Sequence, residues 1–91
     1  MEFEWDAKKA AKNLRKHGVS FGEAATVFAD NFSATVPDPD HSLDEDRYIT
    51  IGLSRDFRLL MVAHTERGKR TRIISARELT RKERKQYEEG R

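Results

Sequence analysis

Arg47-Tyr48-Ile49-Thr50-Ile51-Gly52-Leu53, Leu59-Leu60-Met61-Val62-Ala63 and Thr71-Arg72-Ile73-Ile74-Ser75-Ala76 follow one another closely. Ser54-Arg55-Asp56 and Glu66-Arg67-Gly68-Lys69 separate them. The three segments are rich in β-branched residues and the gaps in turn formers, so the run reads as strands joined by short turns. Strands joined in this way pair antiparallel as a meander. Leu59 to Ala63 is apolar on both parities, which predicts a central strand covered on both faces.

Upstream, Phe32-Ser33-Ala34-Thr35-Val36 alternates and reads as another strand. Pro37-Asp38-Pro39-Asp40 ends it, because neither proline can donate to a ladder. Residues 37–46 then form an acidic loop. A helix over about 20–29 opens with the capping box Ser20-x-x-Glu23 and turns Ala24, Ala25, Val27 and Phe28 inward. Before it, Phe3 and Trp5 alternate with Glu2 and Glu4, as in a short strand with one buried face. Asp6 suits a helix N-cap. Ala7, Ala10, Ala11 and Leu14 fall at i, i+3, i+4 and i+7 and make an apolar stripe. Lys8, Lys9, Lys12, Arg15 and Lys16 ride the rest of that helix, and Gly18 closes it. Downstream, Thr80-x-x-Glu83 caps a terminal helix running to about Glu89. The order β-α-α-β-β-β-β-α predicts a single α+β domain over residues 1–91. Its antiparallel meander sheet would carry two N-terminal helices and one C-terminal helix.

Ninety-one residues leave room for one small core. No apolar run is long enough to cross a membrane, and the N-terminus has no apolar signal-peptide region, so a cytoplasmic setting is expected. Zero cysteines exclude disulfides and thiolate–metal sites. The net charge of +2 hides a segregation. Residues 20–46 hold seven acids and no Lys or Arg, and residues 47–91 hold thirteen Lys or Arg against six acids. A basic surface for a polyanion and a separate acidic edge would give this pattern, as would a solvated surface that keeps a small domain dispersed.

No metal or cofactor motif is present. The histidines lack ligand spacing, and Asp38, Asp40, Asp44 and Asp46 lack the glycine and terminal glutamate of a calcium loop. His17, in the last turn of the first helix, reads as a C-terminal cap or as a proton-transfer group. His64, on the parity of Leu60 and Val62, reads as buried or as projecting at the sheet rim. His41 reads as surface. Arg72 lies on the last strand, Arg77 directly follows it, and Arg81 and Arg84 open the terminal helix. Tyr87 lies three residues beyond Arg84, on the same helical face. A guanidinium fork matches phosphate oxygens, and Tyr can stack or exchange a proton. Such parts suit a metal-free ribonuclease, in which the RNA 2′-hydroxyl attacks its own phosphate. Arg77 has equally good ion-pair partners in Glu78, Glu83 or the acidic loop, and Tyr87 can simply pack on the sheet.

Taken together, Phe3-Glu4-Trp5-Asp6, Lys16-His17-Gly18-Val19-Ser20-Phe21, Asp46-Arg47, His64-Thr65, Arg72-Ile73-Ile74-Ser75-Ala76-Arg77 and Glu83-Arg84 resemble the BrnT-type toxins of bacterial type II toxin–antitoxin systems. The resemblance spans nearly the whole chain. It implies a RelE-like fold, metal-independent RNA cleavage that arrests translation, and neutralisation by a BrnA-type antitoxin. It also implies that operator DNA is bound only through the antitoxin complex. On that basis Arg77, Arg72, His17, His64 and Tyr87 are expected to be catalytic. Lys16, Arg84, Arg81 and Lys12 are expected to bind RNA. The alternative is a non-catalytic module that binds protein or nucleic acid as a corepressor.

Overall fold

A computed structural model describes residues 1–40 and 46–90. His41, Asp44 and Glu45 of the expected acidic loop lie outside the described residues. The elements run β1 (Glu2–Glu4), α1 (Ala7–His17), α2 (Phe21–Thr26), a 3-10 turn (Val27–Ala29), β2 (Ala34–Pro37), β3 (Arg47–Leu53), β4 (Leu59–Arg67), β5 (Arg70–Glu78) and α3 (Arg81–Glu89). The α+β class and the placement of three helices agree with the sequence.

The sheet is mixed, not an antiparallel meander throughout. Its order is β1-β5-β4-β3-β2. Strands β2 to β5 form the expected meander. Strand β1 instead joins the far edge, parallel to β5, with Phe3 opposite Thr71. A parallel pairing needs a crossover, and the rest of the chain between β1 and β5 supplies one. It also separates β1 and β2 to opposite edges, so the two helices between them span the sheet.

Helices α1 and α2 cover one face of the sheet. Val19, Phe21, Ala24 and Val27 pack on Leu60, Val62, Ile73 and Ala76, all at most 2% exposed. Leu60, Val62 and His64 of β4 are buried, whereas Leu59, Met61 and Ala63 on the other parity are only half-buried. The expectation of a central strand covered on both faces is therefore corrected. The apolar stripe of α1 is corrected as well. Leu14 is 52% exposed, and the buried residue of α1 is Asn13.

Asn13 is buried because it completes the sheet. Strand β1 pairs with β5 only from Arg70 to Arg72. Further along the same edge, the Asn13 amide takes the place of a strand. Its Nδ2 donates to the Ala76 carbonyl at 2.8 Å, and its Oδ1 accepts from the Ala76 N–H at 3.1 Å. Nδ2 also donates to the Val19 carbonyl at 2.9 Å, tying the chain that follows α1. Backbone groups that would otherwise be buried without partners are thereby satisfied.

Glu23 departs from its expected role. Ser20 Oγ accepts from the Glu23 N–H at 3.0 Å, but the Glu23 carboxylate does not close the capping box. It is buried and turns to Arg58, which donates to both carboxylate oxygens, while Ser54 Oγ donates at 2.7 Å. Arg58 also donates to the Gly18 carbonyl at 3.0 Å and pairs with Glu78 at 3.3 Å. One guanidinium thus joins the α1–α2 connection, α2, and the far end of β5. The second box, Thr80 with Glu83, is complete.

Candidate active-site cleft

The face of the sheet left uncovered by α1 and α2 carries the outward parity of three strands. Register places Ile49 opposite Ala63, Ala63 opposite Ser75, and Met61 opposite Arg77. A cleft of about 280 Å³ opens over this floor. Arg47 stands at the start of β3 and Arg77 near the end of β5, and His17 enters from the C-terminus of α1. Asp38 and Asp40 line the cleft from the turn after β2. Residues from sequence positions 17, 47 and 77 therefore meet at one concavity, two of them permanently cationic.

Both arginines of the cleft have an acidic partner nearby. Arg77 makes a two-pronged pair with Glu83 of α3, Nη1 to Oε1 at 2.7 Å and Nη2 to Oε2 at 2.9 Å. Nη1 also donates to the Glu78 carbonyl, and Nη2 approaches Met61 Sδ at 3.3 Å. The guanidinium holds the Glu83 carboxyl down to about 2, helped by the Thr80 backbone N–H, and Glu83 in turn stabilises the charge of Arg77. Of the partners weighed for Arg77 in the sequence, Glu83 is the one whose carboxylate it meets. Arg47 Nε lies 4.0 Å from Asp38 Oδ2, and the Asp38 N–H donates to the Arg47 carbonyl. Asp38 Oδ1 accepts from the Asp40 N–H at 3.0 Å, which fixes the acidic wall.

The other candidate residues lie elsewhere. Arg72 donates to Glu4 at 2.8 Å across the β1–β5 pairing. The Tyr87 hydroxyl donates to the Phe32 carbonyl at 2.9 Å, docking α3 on the residues before β2. Arg81 and Arg84 are exposed on α3. Lys12 and Lys16 line a separate groove beside the cleft, together with Lys9.

His64 belongs to the covered face. Its Nδ1 meets Glu66 at 3.1 Å and its Nε2 meets Thr50 Oγ1 at 2.8 Å; Thr50 in turn meets Thr35 at 2.7 Å. Phe28 packs edge-on against the ring and Tyr48 stacks on it. Burial pushes the imidazole below its ordinary range, and Glu66 opposes that only in part.

Two cleft residues, Arg47 and Ser75, were not among the site residues expected from the sequence. Arg47 looked like the start of a strand and Ser75 like an interior strand position. The available signal was cross-strand parity: Arg47, Ile49 and Ile51 share one side of β3, and a register with β4 and β5 would have aligned them with Ala63, Ser75 and Arg77.

The family model described as the ribonuclease toxin BrnT of type II toxin–antitoxin systems matches residues 5–83. The chain belongs to that family. The crystal structure of the Brucella abortus ribonuclease toxin BrnT superposes with a TM-score of 0.71 at 23% identity, covering 89% of this chain and 99% of that one. At that identity the likeness shows a shared fold. No curated protein sequence matches this chain. Among the described residues, no helix is long and apolar enough to cross a membrane.

Proposed function

We propose that the protein is a metal-independent endoribonuclease, active as one domain in the cytoplasm, that arrests translation. It would be held silent by a cognate BrnA-type antitoxin, with operator DNA engaged only through that complex. The observation that carries the catalytic reading is the cleft where His17, Arg47 and Arg77 converge on the open face. In the reaction, the RNA 2′-oxygen attacks the adjacent phosphorus and the bond from phosphorus to the 5′-oxygen breaks. A 2′,3′-cyclic phosphate end and a 5′-hydroxyl end result. His17 takes the 2′-hydroxyl proton, the departing 5′-oxygen takes up a proton from solvent, and Arg47 and Arg77 stabilise the charge that grows on the phosphoryl oxygens. With two guanidinium groups at the cleft, this charge stabilisation can come from side chains alone. The RelE-like comparison rests on the helix-covered meander.

One observation favours the corepressor reading: Arg72 and Arg77 are both engaged in ion pairs. Variants separate the two. Arg47→Ala should lower RNA cleavage in EDTA by about 10²-fold, and His17→Gln should lower it as well. Arg77→Ala breaks the pair and removes the cation, whereas Glu83→Gln weakens the pair and leaves the cation. If Arg77 acts on RNA, only Arg77→Ala loses activity. Equal effects of the two variants on melting temperature, with cleavage untouched, would mark Arg77 as structural. Failure of wild-type protein to cleave RNA in EDTA would end the metal-independent reading.

A further inference from the structure

Beside the cleft, a groove of about 170 Å³ runs along α1. The two concavities share His17 and Ser75, so they form one continuous surface. Lys9, Lys12 and Lys16 line the groove and, among the described residues, no acidic residue does. Their spacing of three and four places them on one helical face. Its opposite side is Ile74 and Ser75 of β5. This is the stretch where β1 has ended and Asn13 has not yet taken over, and where the register with β4 slips by one residue. Among the described residues the β5 edge here has no strand neighbour, so the groove is a gap built into the sheet edge, flanked by a cationic helix.

Charge gives the surface a direction. Asp38 and Asp40 form one wall of the cleft, and the three lysines lie beyond His17 on the other side. A polyanion leaving the cleft is repelled on the first side and attracted on the second. From Lys9 to Lys16 the helix rises about 10 Å. Over that length the three lysines can meet a few successive phosphates of a single strand.

We infer that this groove is an extended binding track for single-stranded RNA, in which Lys9, Lys12 and Lys16 hold the phosphates on one side of the cleaved bond. The inference rests on the ribonuclease reading for its orientation relative to the cleft. It gives the enzyme a substrate class: strands that continue for several nucleotides past the cleavage point on one side, in preference to dinucleotides.

The test has two arms. In the first, binding of a 2′-O-methyl decanucleotide, which cannot be cleaved by 2′-oxygen attack, is followed by fluorescence anisotropy across a salt series. Replacing the three lysines together by Gln should lower the slope of log affinity against log salt by about 2, since each single-strand contact contributes about 0.7. The control K69Q/K82Q/K85Q removes equal charge from residues outside the groove and should leave the slope near wild type. Equal slopes for wild type and the groove variant would overturn the track, as would an equal fall in the control. In the second arm, the ratio of kcat/KM for a cleavable decanucleotide over a dinucleotide should collapse in the groove variant. Absence of cleavage with the salt slope still dependent on Lys9, Lys12 and Lys16 would defeat the ribonuclease reading and leave the track standing. Normal cleavage with an unmoved slope would do the reverse.

Discussion

Arg58→Ala tests whether the joint at the end of the sheet is held by a desolvated ion pair. The Glu23 side chain is 5% exposed and that of Arg58 31%. Arg58 lowers the Glu23 carboxyl from its ordinary range, with Ser54 adding to the effect. Removing the guanidinium leaves a buried carboxylate with one hydroxyl partner and frees the Gly18 carbonyl. Breaking one side of a buried pair costs about 3–5 kcal/mol. Arg58 is partly wet, so the low end applies, about 3 kcal/mol. For a domain of this size, 1 kcal/mol moves the melting temperature by about 5 °C, so a drop of about 15 °C is expected. Urea unfolding followed by circular dichroism should show a lower midpoint at constant m-value. The double variant Glu23→Leu with Arg58→Leu removes both charges and should recover at least half the loss. A single-variant cost below about 1 kcal/mol would mean that solvent screens the pair, and the argument for a buried joint would fail.

Two further outcomes follow from the same packing. His64 is pushed below its ordinary 6.5 by burial, so the unfolded chain takes up the proton first as pH falls. The stability carried by the neutral ring is therefore complete above pH 6.5 and lost below it; urea midpoints at pH 7.5 and 5.5 should differ more in wild type than in His64→Gln, and a gain on acidification would contradict a buried neutral ring. Asn13→Ala strips both bonds from Ala76 and one from Val19 and should cost about 2–3 kcal/mol, with faster hydrogen exchange at the Ala76 amide as the local reading.

Local signals carried most of the element assignments. Asp6 accepts from Lys8 and Lys9 as an N-cap should, Gly18 closes α1 at a φ of 69°, and Thr80 with Glu83 forms its box. Each depends on residues a few positions apart, which sequence spacing reports directly. Misreadings arose where a distant partner decides. The parallel placement of β1 depends on Thr71 and Arg72, nearly seventy residues away. The path of the Glu23 carboxylate depends on Arg58. Leu14 satisfied the helical stripe and yet is exposed, because Asn13 had a better use for the inward position in pairing with Ala76. Of the expected catalytic set, His17 and Arg77 come together at the cleft, and His64, Arg72 and Tyr87 are held elsewhere by partners on other elements. The convergence of Arg47 with them is a property of strand register, which no short motif encodes.

The Asn13 clamp links stability to the site. Asn13 and His17 are four residues apart, so they lie on the same face of α1. Asn13 is pinned to Ala76, and the neighbours of Ala76 are Ser75 and Arg77, both of which line the cleft with His17. A rigid helix fixed at Asn13 therefore sets where His17 stands relative to Arg77. The same clamp leaves the β5 edge bare between Arg72 and Ala76, which is where the lysine groove opens. A β1 strand two residues longer would pair that edge in the ordinary way and close the groove. The short β1 and the buried asparagine are thus complementary: one leaves the sheet edge open beside Lys9, Lys12 and Lys16, and the other keeps that opening from loosening the core.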